Sequence, residues 1–112
     1  MDYDPESDSL AIFFADRKSS TSIENGDIVI DIDYKKNIVG IELLNATKIL
    51  SYLTKQQIVK DTLERITDCA LETKQFGNNI IVKFALTLSN KKIIENTIAV
   101  PIMSGEKLAA LA

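Results

Sequence analysis

Apolar residues at every second position constrain this chain most, because a period of two puts one row of side chains on each face of a strand. In IIVKFALTL the even positions Ile80, Val82, Phe84, Leu86 and Leu88 are all apolar, whereas the odd set includes Lys83 and Thr87. One face is buried and one is wet, as in an antiparallel sheet covered on a single side. IIENTIAVPI repeats the pattern with Ile94, Ile98, Val100 and Ile102, Asn96 being the polar member of the row. Pro101 lacks an amide hydrogen for the ladder, which places the end of that strand at a sheet edge.

The first half of the chain alternates in the same way. Leu10, Ile12 and Phe14 share a face in DSLAIFF, and Ile28, Ile30 and Ile32 share one in DIVIDID, with Val29, Asp31 and Asp33 opposite. NIVGIELL then places Val39, Ile41 and Leu43 on one side and Ile38, Gly40, Glu42 and Leu44 on the other. The dipeptide Asn25-Gly26 is a strong turn signal after the weaker strand SSTSIE. Further turns are expected at Gly77-Asn78-Asn79 and at Ser89 to Lys92.

Helical spacing occupies the middle. Asn45 is placed to cap a short helix over about 46–53, carrying Ala46, Ile49, Leu50 and Leu53. Thr54 and Gln57 match a capping box, after which Val59, Leu63, Ile66 and Ala70 fall on one stripe, predicting a helix over about 55–68. The expected fold class is α+β. Antiparallel strands at about 9–15, 20–24, 27–33, 38–44, 70–76, 80–89 and 92–102 carry the helices on their apolar face. Whether the strands make one sheet or two is open. GEKLAALA, at the end, reads as a short helix or a frayed tail.

At 112 residues the chain fits a single domain, and 46% hydrophobic with 26% charged residues describes a globular chain. Its net charge of −3 places it badly for nucleic acid, whose binders rely on Lys and Arg against phosphates. The pairs Lys35-Lys36 and Lys91-Lys92 fall at turns, where lysines are solvated. The longest apolar run, Leu10 to Ala15, is far too short to span a membrane. The start MDYDPESDS is acidic, unlike a secretory leader, and Cys69 is the lone cysteine, so a reducing, cytoplasmic setting is expected.

Carboxylates are the candidate chemistry. Matching the isoleucine face to Val39, Ile41 and Leu43 pairs Asp33 with Ile38, Asp31 with Gly40, and Val29 with Glu42, across a turn of Tyr34 to Asn37. Asp31, Asp33 and Glu42 then share the outer face, with Asp31 and Glu42 diagonal at roughly 7 Å and Gly40 leaving open space between them. Three carboxylates so placed suit a hard cation such as Mg²⁺ or Ca²⁺; the plainer reading is a solvated or partner-facing surface. Ile38 and Leu44 on that face favour something covered by another element or a second chain. Asp4, Glu6 and Asp8 form a second acidic group, read as a turn at Asp4-Pro5 with metal binding as the alternative.

Catalysis has little to work with. The chain has no histidine, hence no imidazole base or His-ligated metal, and none of its four glycines cluster into a phosphate loop. Cys69 falls beside the helical stripe, where a buried structural thiol is expected. The chain reads as a non-enzyme with no cofactor.

YDPESDSLAIFF followed by DIVIDIDYKKNIVGIELLNATKIL resembles a bacterial and archaeal family known as the domain of unknown function family 2283. The residues that carry the resemblance are Tyr3, Asp4, Asp8, Leu10, Ile12, Asp31, Asp33, Gly40, Ile41, Glu42, Leu44, Ala46 and Thr47. Thr47 stands for the usual serine, and Lys36 falls where a turn glycine is common. The resemblance covers residues 2 to about 50, leaving 53–112 as a C-terminal extension. Because members are often encoded beside small toxin-like proteins, it implies an antitoxin-like or other partner-binding role. The expected function is therefore a non-catalytic interaction module that forms a homodimer or binds a small protein. The alternative is a metal- or ligand-binding domain at Asp31, Asp33 and Glu42.

Overall fold

The computed structural model describes residues 1–14 and 18–101. The order is β1 (Asp2–Asp4), β2 (Ser9–Phe13), β3 (Thr21–Asn25), β4 (Ile28–Ile32), β5 (Ile38–Leu43), α1 (Ala46–Thr54), α2 (Lys60–Glu64), β6 (Ile66–Phe76), β7 (Asn79–Leu88) and β8 (Ile93–Pro101). The strands form two antiparallel sheets, β1-β2-β5-β4-β3 and β6-β7-β8. The fold is thus α+β and mostly sheet. Ile102 and the expected terminal helix lie outside the described residues, as does the end of the first expected strand.

The alternating rows become one core. Leu10, Ile12, Ile30, Ile41 and Leu43 from the first sheet pack in a single cluster with Ile80, Val82, Phe84 and Leu86 from the second, and Leu50 and Leu63 close it from the helices. Asn96, the polar member of the last row, donates its amide to the Leu53 carbonyl at 2.8 Å, satisfying an acceptor at the end of α1. β8 is an edge strand, where Pro101 can sit without the amide hydrogen that a central strand would need. No helix among the described residues is long and apolar enough to cross a membrane.

The second helix is much shorter than its expected 55–68. Lys55 takes a left-handed conformation (φ 56°) that ends α1, and the Thr54 hydroxyl donates back to the Leu50 carbonyl at 2.7 Å instead of capping a new helix. Only Lys60–Glu64 is helical, and Ile66 already belongs to β6. The stripe misled because Ile66 and Ala70 fit both periods. From Cys69 onward Leu71, Thr73 and Gln75 point inward while Asp68, Glu72 and Lys74 point out. The two-residue turn Gly77-Asn78 then fixes β6 against β7. Cys69 is accordingly a half-buried strand residue on the inner face.

Candidate functional site

The expected register holds over most of the acidic hairpin: Val29 pairs with Glu42, Ile30 with Ile41 and Asp31 with Gly40. It then breaks. Ile32 pairs with Ile38, leaving Val39 as the extra residue of a β-bulge. The bulge takes Asp33 out of the ladder and into the turn. One Asp33 carboxylate oxygen accepts the Lys35 and Asn37 amides, each at 2.9 Å, while the Asp33 carbonyl accepts the Lys36 amide at 3.0 Å. The Asn37 amide in the first place, with that of Lys35, holds the Asp33 carboxyl below its ordinary value. Lys36 sits at φ 70°, the position a glycine would fill easily. Asp33 is therefore a turn residue and does not join Asp31 and Glu42.

Asp4 and Asp8 also do structural work. Asp4 accepts the Glu6 amide at 3.0 Å and the Ser7 hydroxyl at 2.9 Å, closing the β1–β2 turn. Asp8 reaches 39 residues along the chain to α1. Its carboxylate accepts the Thr47 amide at 3.2 Å and the Thr47 hydroxyl at 2.6 Å, and the Tyr3 hydroxyl at 2.7 Å. Asn45 occupies the N-cap position without a side-chain cap bond and donates instead to Asp27 at 3.3 Å, so Asp8 supplies the cap that Asn45 was expected to give. Burial opposes the charged form of Asp8, but the Thr47 and Tyr3 bonds outweigh it and hold the carboxyl low. Burial, then the Asp8 bond, pushes the Tyr3 hydroxyl well above its ordinary value.

Replacing Asp8 with asparagine keeps the backbone conformation (φ 55°) accessible but leaves one Thr47 or Tyr3 donor unmatched. The expected loss is about 1 kcal/mol at neutral pH, read by urea denaturation. Because the Asp8 carboxyl is lowered on folding, its contribution is present above the ordinary value of 3.8 and is lost as pH falls through the folded one. The two proteins should converge in acid.

What remains is a pair. Asp31 is 3% exposed, on the outer face of the five-stranded sheet. One of its oxygens accepts the Ser22 hydroxyl at 2.7 Å and, at 3.4 Å, that of Ser19; the other, Oδ2, is buried and receives no protein donor. Glu42 is its carboxyl neighbour. Interaction with the Asp31 carboxyl in the first place, then burial, push Glu42 up to about 7. Near neutrality Glu42 therefore still carries a proton about half the time, one it can offer to the Asp31 oxygen that has no other donor. Among the described residues, no three Asp, Glu or Cys side chains gather where they would hold a metal ion.

The expected open space beside the pair is filled. Phe13 pairs with Gly40, and its ring lies where a Gly40 side chain would project. Phe13 itself remains 40% exposed, an aromatic cover over buried backbone beside the carboxyl pair. Ser19, Ser22 and Phe13 escaped sequence reasoning. Only the strand pairings β2–β5 and β3–β4 reveal them, and no local pattern encodes those.

The model of the family described as "Protein of unknown function (DUF2283)" matches residues 1–46, which are the five-stranded sheet and the first residue of α1. An uncharacterized protein of Methanocaldococcus jannaschii is 36% identical over 64 residues, or 57% of this chain and 54% of the relative. The match thus spans about half the length of that relative. No solved structure matches the chain. Tyr3, Asp8 and Thr47, which carried the resemblance, bond to one another, and Gly40 lies under Phe13. Residues 1–46, the five-stranded sheet, are thus similar to the DUF2283 family, and nearly all of α1 to β8 lies beyond that match.

Proposed function

We propose that this chain is a non-catalytic interaction module that associates with itself or with a small protein partner. The observation that carries this reading is the outer face of the three-stranded sheet, uncovered among the described residues, where Phe76 at one end is 68% and Ile93 at the other 56% exposed. Large apolar side chains in a polar surround are what a protein partner covers. A net charge of −3 favours a basic partner, since opposite potentials speed encounter and select against wrong pairings. An antitoxin-type role against a small basic protein is one form of this reading. The test is light scattering of the pure protein beside a tagged pull-down from its native host. A stoichiometric partner or a stable dimer is expected; a monomer that captures nothing ends the proposal.

A second reading is favoured by the buried, donor-free Oδ2 of Asp31. Asp31 and Glu42, with the Ser22 hydroxyl nearby, offer oxygen ligands to a hard divalent cation. Two carboxylates are a sparse set, and a shared proton already serves the pair. Millimolar Mg²⁺, Ca²⁺ or Mn²⁺ raises the melting temperature if this reading holds.

A further inference from the structure

We infer that β6 pairs with β6 of a second copy of this chain, antiparallel about a two-fold axis at Leu71, joining two three-stranded sheets into one of six strands. This rests on the interaction-module reading and names its surface and partner.

Eleven residues long, β6 stands at the end of its sheet, longer than the other edge strands. Edges of this length are ordinarily protected by proline, brevity, charge or a bulge; β6 has no proline, and its bulge, between Ile66 and Asp68, leaves a regular ladder from Asp68 to Phe76. The direction of its free groups follows from the hairpin. Phe76 and Asn79 flank a two-residue turn, so they form a hydrogen-bonded pair, and the alternation continues through Lys74, Glu72 and Ala70. Cys69, Leu71, Thr73 and Gln75 therefore direct their amides and carbonyls away from β7. No backbone hydrogen bond among the described residues takes them up.

Charge then selects the register. Leu71 is the midpoint of Ile66–Phe76 and of the regular stretch from Asp68 to Lys74, so a two-fold axis there pairs that stretch throughout. It sets Asp68 opposite Lys74 of the other copy, twice, on the exposed face, and Cys69 opposite Thr73 on the inner face. Neighbouring registers that keep the faces aligned are penalised. Sliding one way opposes Asp68 to Glu72, and sliding the other opposes Glu72 to itself. In the Leu71 register Glu72 lies only diagonal to its own copy, and Lys83 stands opposite it on β7. Within one chain neither Asp68 nor Lys74 forms an ion pair among the described residues; the Lys74 ammonium rests 5.9 Å from the Phe76 ring centre.

The test is sedimentation equilibrium on the full chain, its Lys74→Glu variant, and the double variant Asp68→Lys with Lys74→Glu. Both positions are exposed, so folding is checked simply by circular dichroism. The wild type is expected to be a dimer. Lys74→Glu should weaken association by on the order of tenfold or more, and the charge swap should restore it. A dimer indifferent to Lys74→Glu, or a swap that fails to rescue, overturns the β6 pairing while leaving the module reading intact. A monomeric wild type also overturns it, and whether the host pull-down still yields a partner then decides the broader reading separately.

Discussion

Replacing Gly40 with alanine is expected to cost about 3 kcal/mol of folding stability, seen as a lower urea midpoint with an unchanged slope. A Cβ built on Gly40 would lie 2.5 Å from the Ile12 carbonyl oxygen and closer still to the Phe13 ring. The ring can rotate, but the carbonyl belongs to the neighbouring strand, so β2 and β5 must move apart where Ile12 and Ile41 pair in the core. Two comparisons isolate the cause. Gly26→Ala meets nothing within 4 Å and suffers only from its φ of +60°, so its cost should be about 1 kcal/mol. Phe13→Ala in the Gly40→Ala background removes the ring and leaves the carbonyl contact, so it should not rescue stability. A loss under 1 kcal/mol in Gly40→Ala, or full rescue by Phe13→Ala, would show that the strands tolerate a methyl group there.

Period-two alternation made most of the strands legible, because burial of one face is written directly into residue order. It also gave the β4–β5 register from Val29 to Asp31. What escaped was non-local. The bulge at Val39 depends on how a left-handed Lys36 closes the turn, and it moved Asp33 out of the candidate site. The cap on α1 comes from Asp8, 39 residues from Thr47, so the local candidate Asn45 drew attention that belonged elsewhere. The helix over 55–68 failed because a few apolar positions satisfy both periods. Only the pairing of β6 with β7 decides between them. Of the candidate site, the Asp31–Glu42 neighbourhood was legible from register alone, whereas Ser22, Ser19 and Phe13 required two further pairings.

The carboxyl pair makes a pH prediction with a definite sign. Glu42 is raised on folding from 4.5 to about 7, so its stabilising contribution is complete below the unfolded value and is lost as pH rises through the folded one. Between pH 5 and pH 8 the wild type should lose on the order of 2 kcal/mol at this site. No histidine titrates in that window, which makes the loss assignable. Glu24 and Asp2, the other carboxylates on that outer face in β3 and β1, are exposed. Glu42→Gln replaces the shared proton with an amide donor toward Asp31. It should match the wild type near pH 5, exceed it in melting temperature near pH 8, and show little dependence between. Equal slopes in the two proteins would mean that Asp31 and Glu42 do not share a proton. The same variant separates a proton from a cation. At pH 8 a bound Mg²⁺ or Ca²⁺ would restore the wild type's lost stability and leave Glu42→Gln unmoved, whereas a pair that holds only a proton responds to pH and not to the metal. The expected result is the second, because two carboxylates with no third nearby among the described residues are a sparse ligand set for a hard cation.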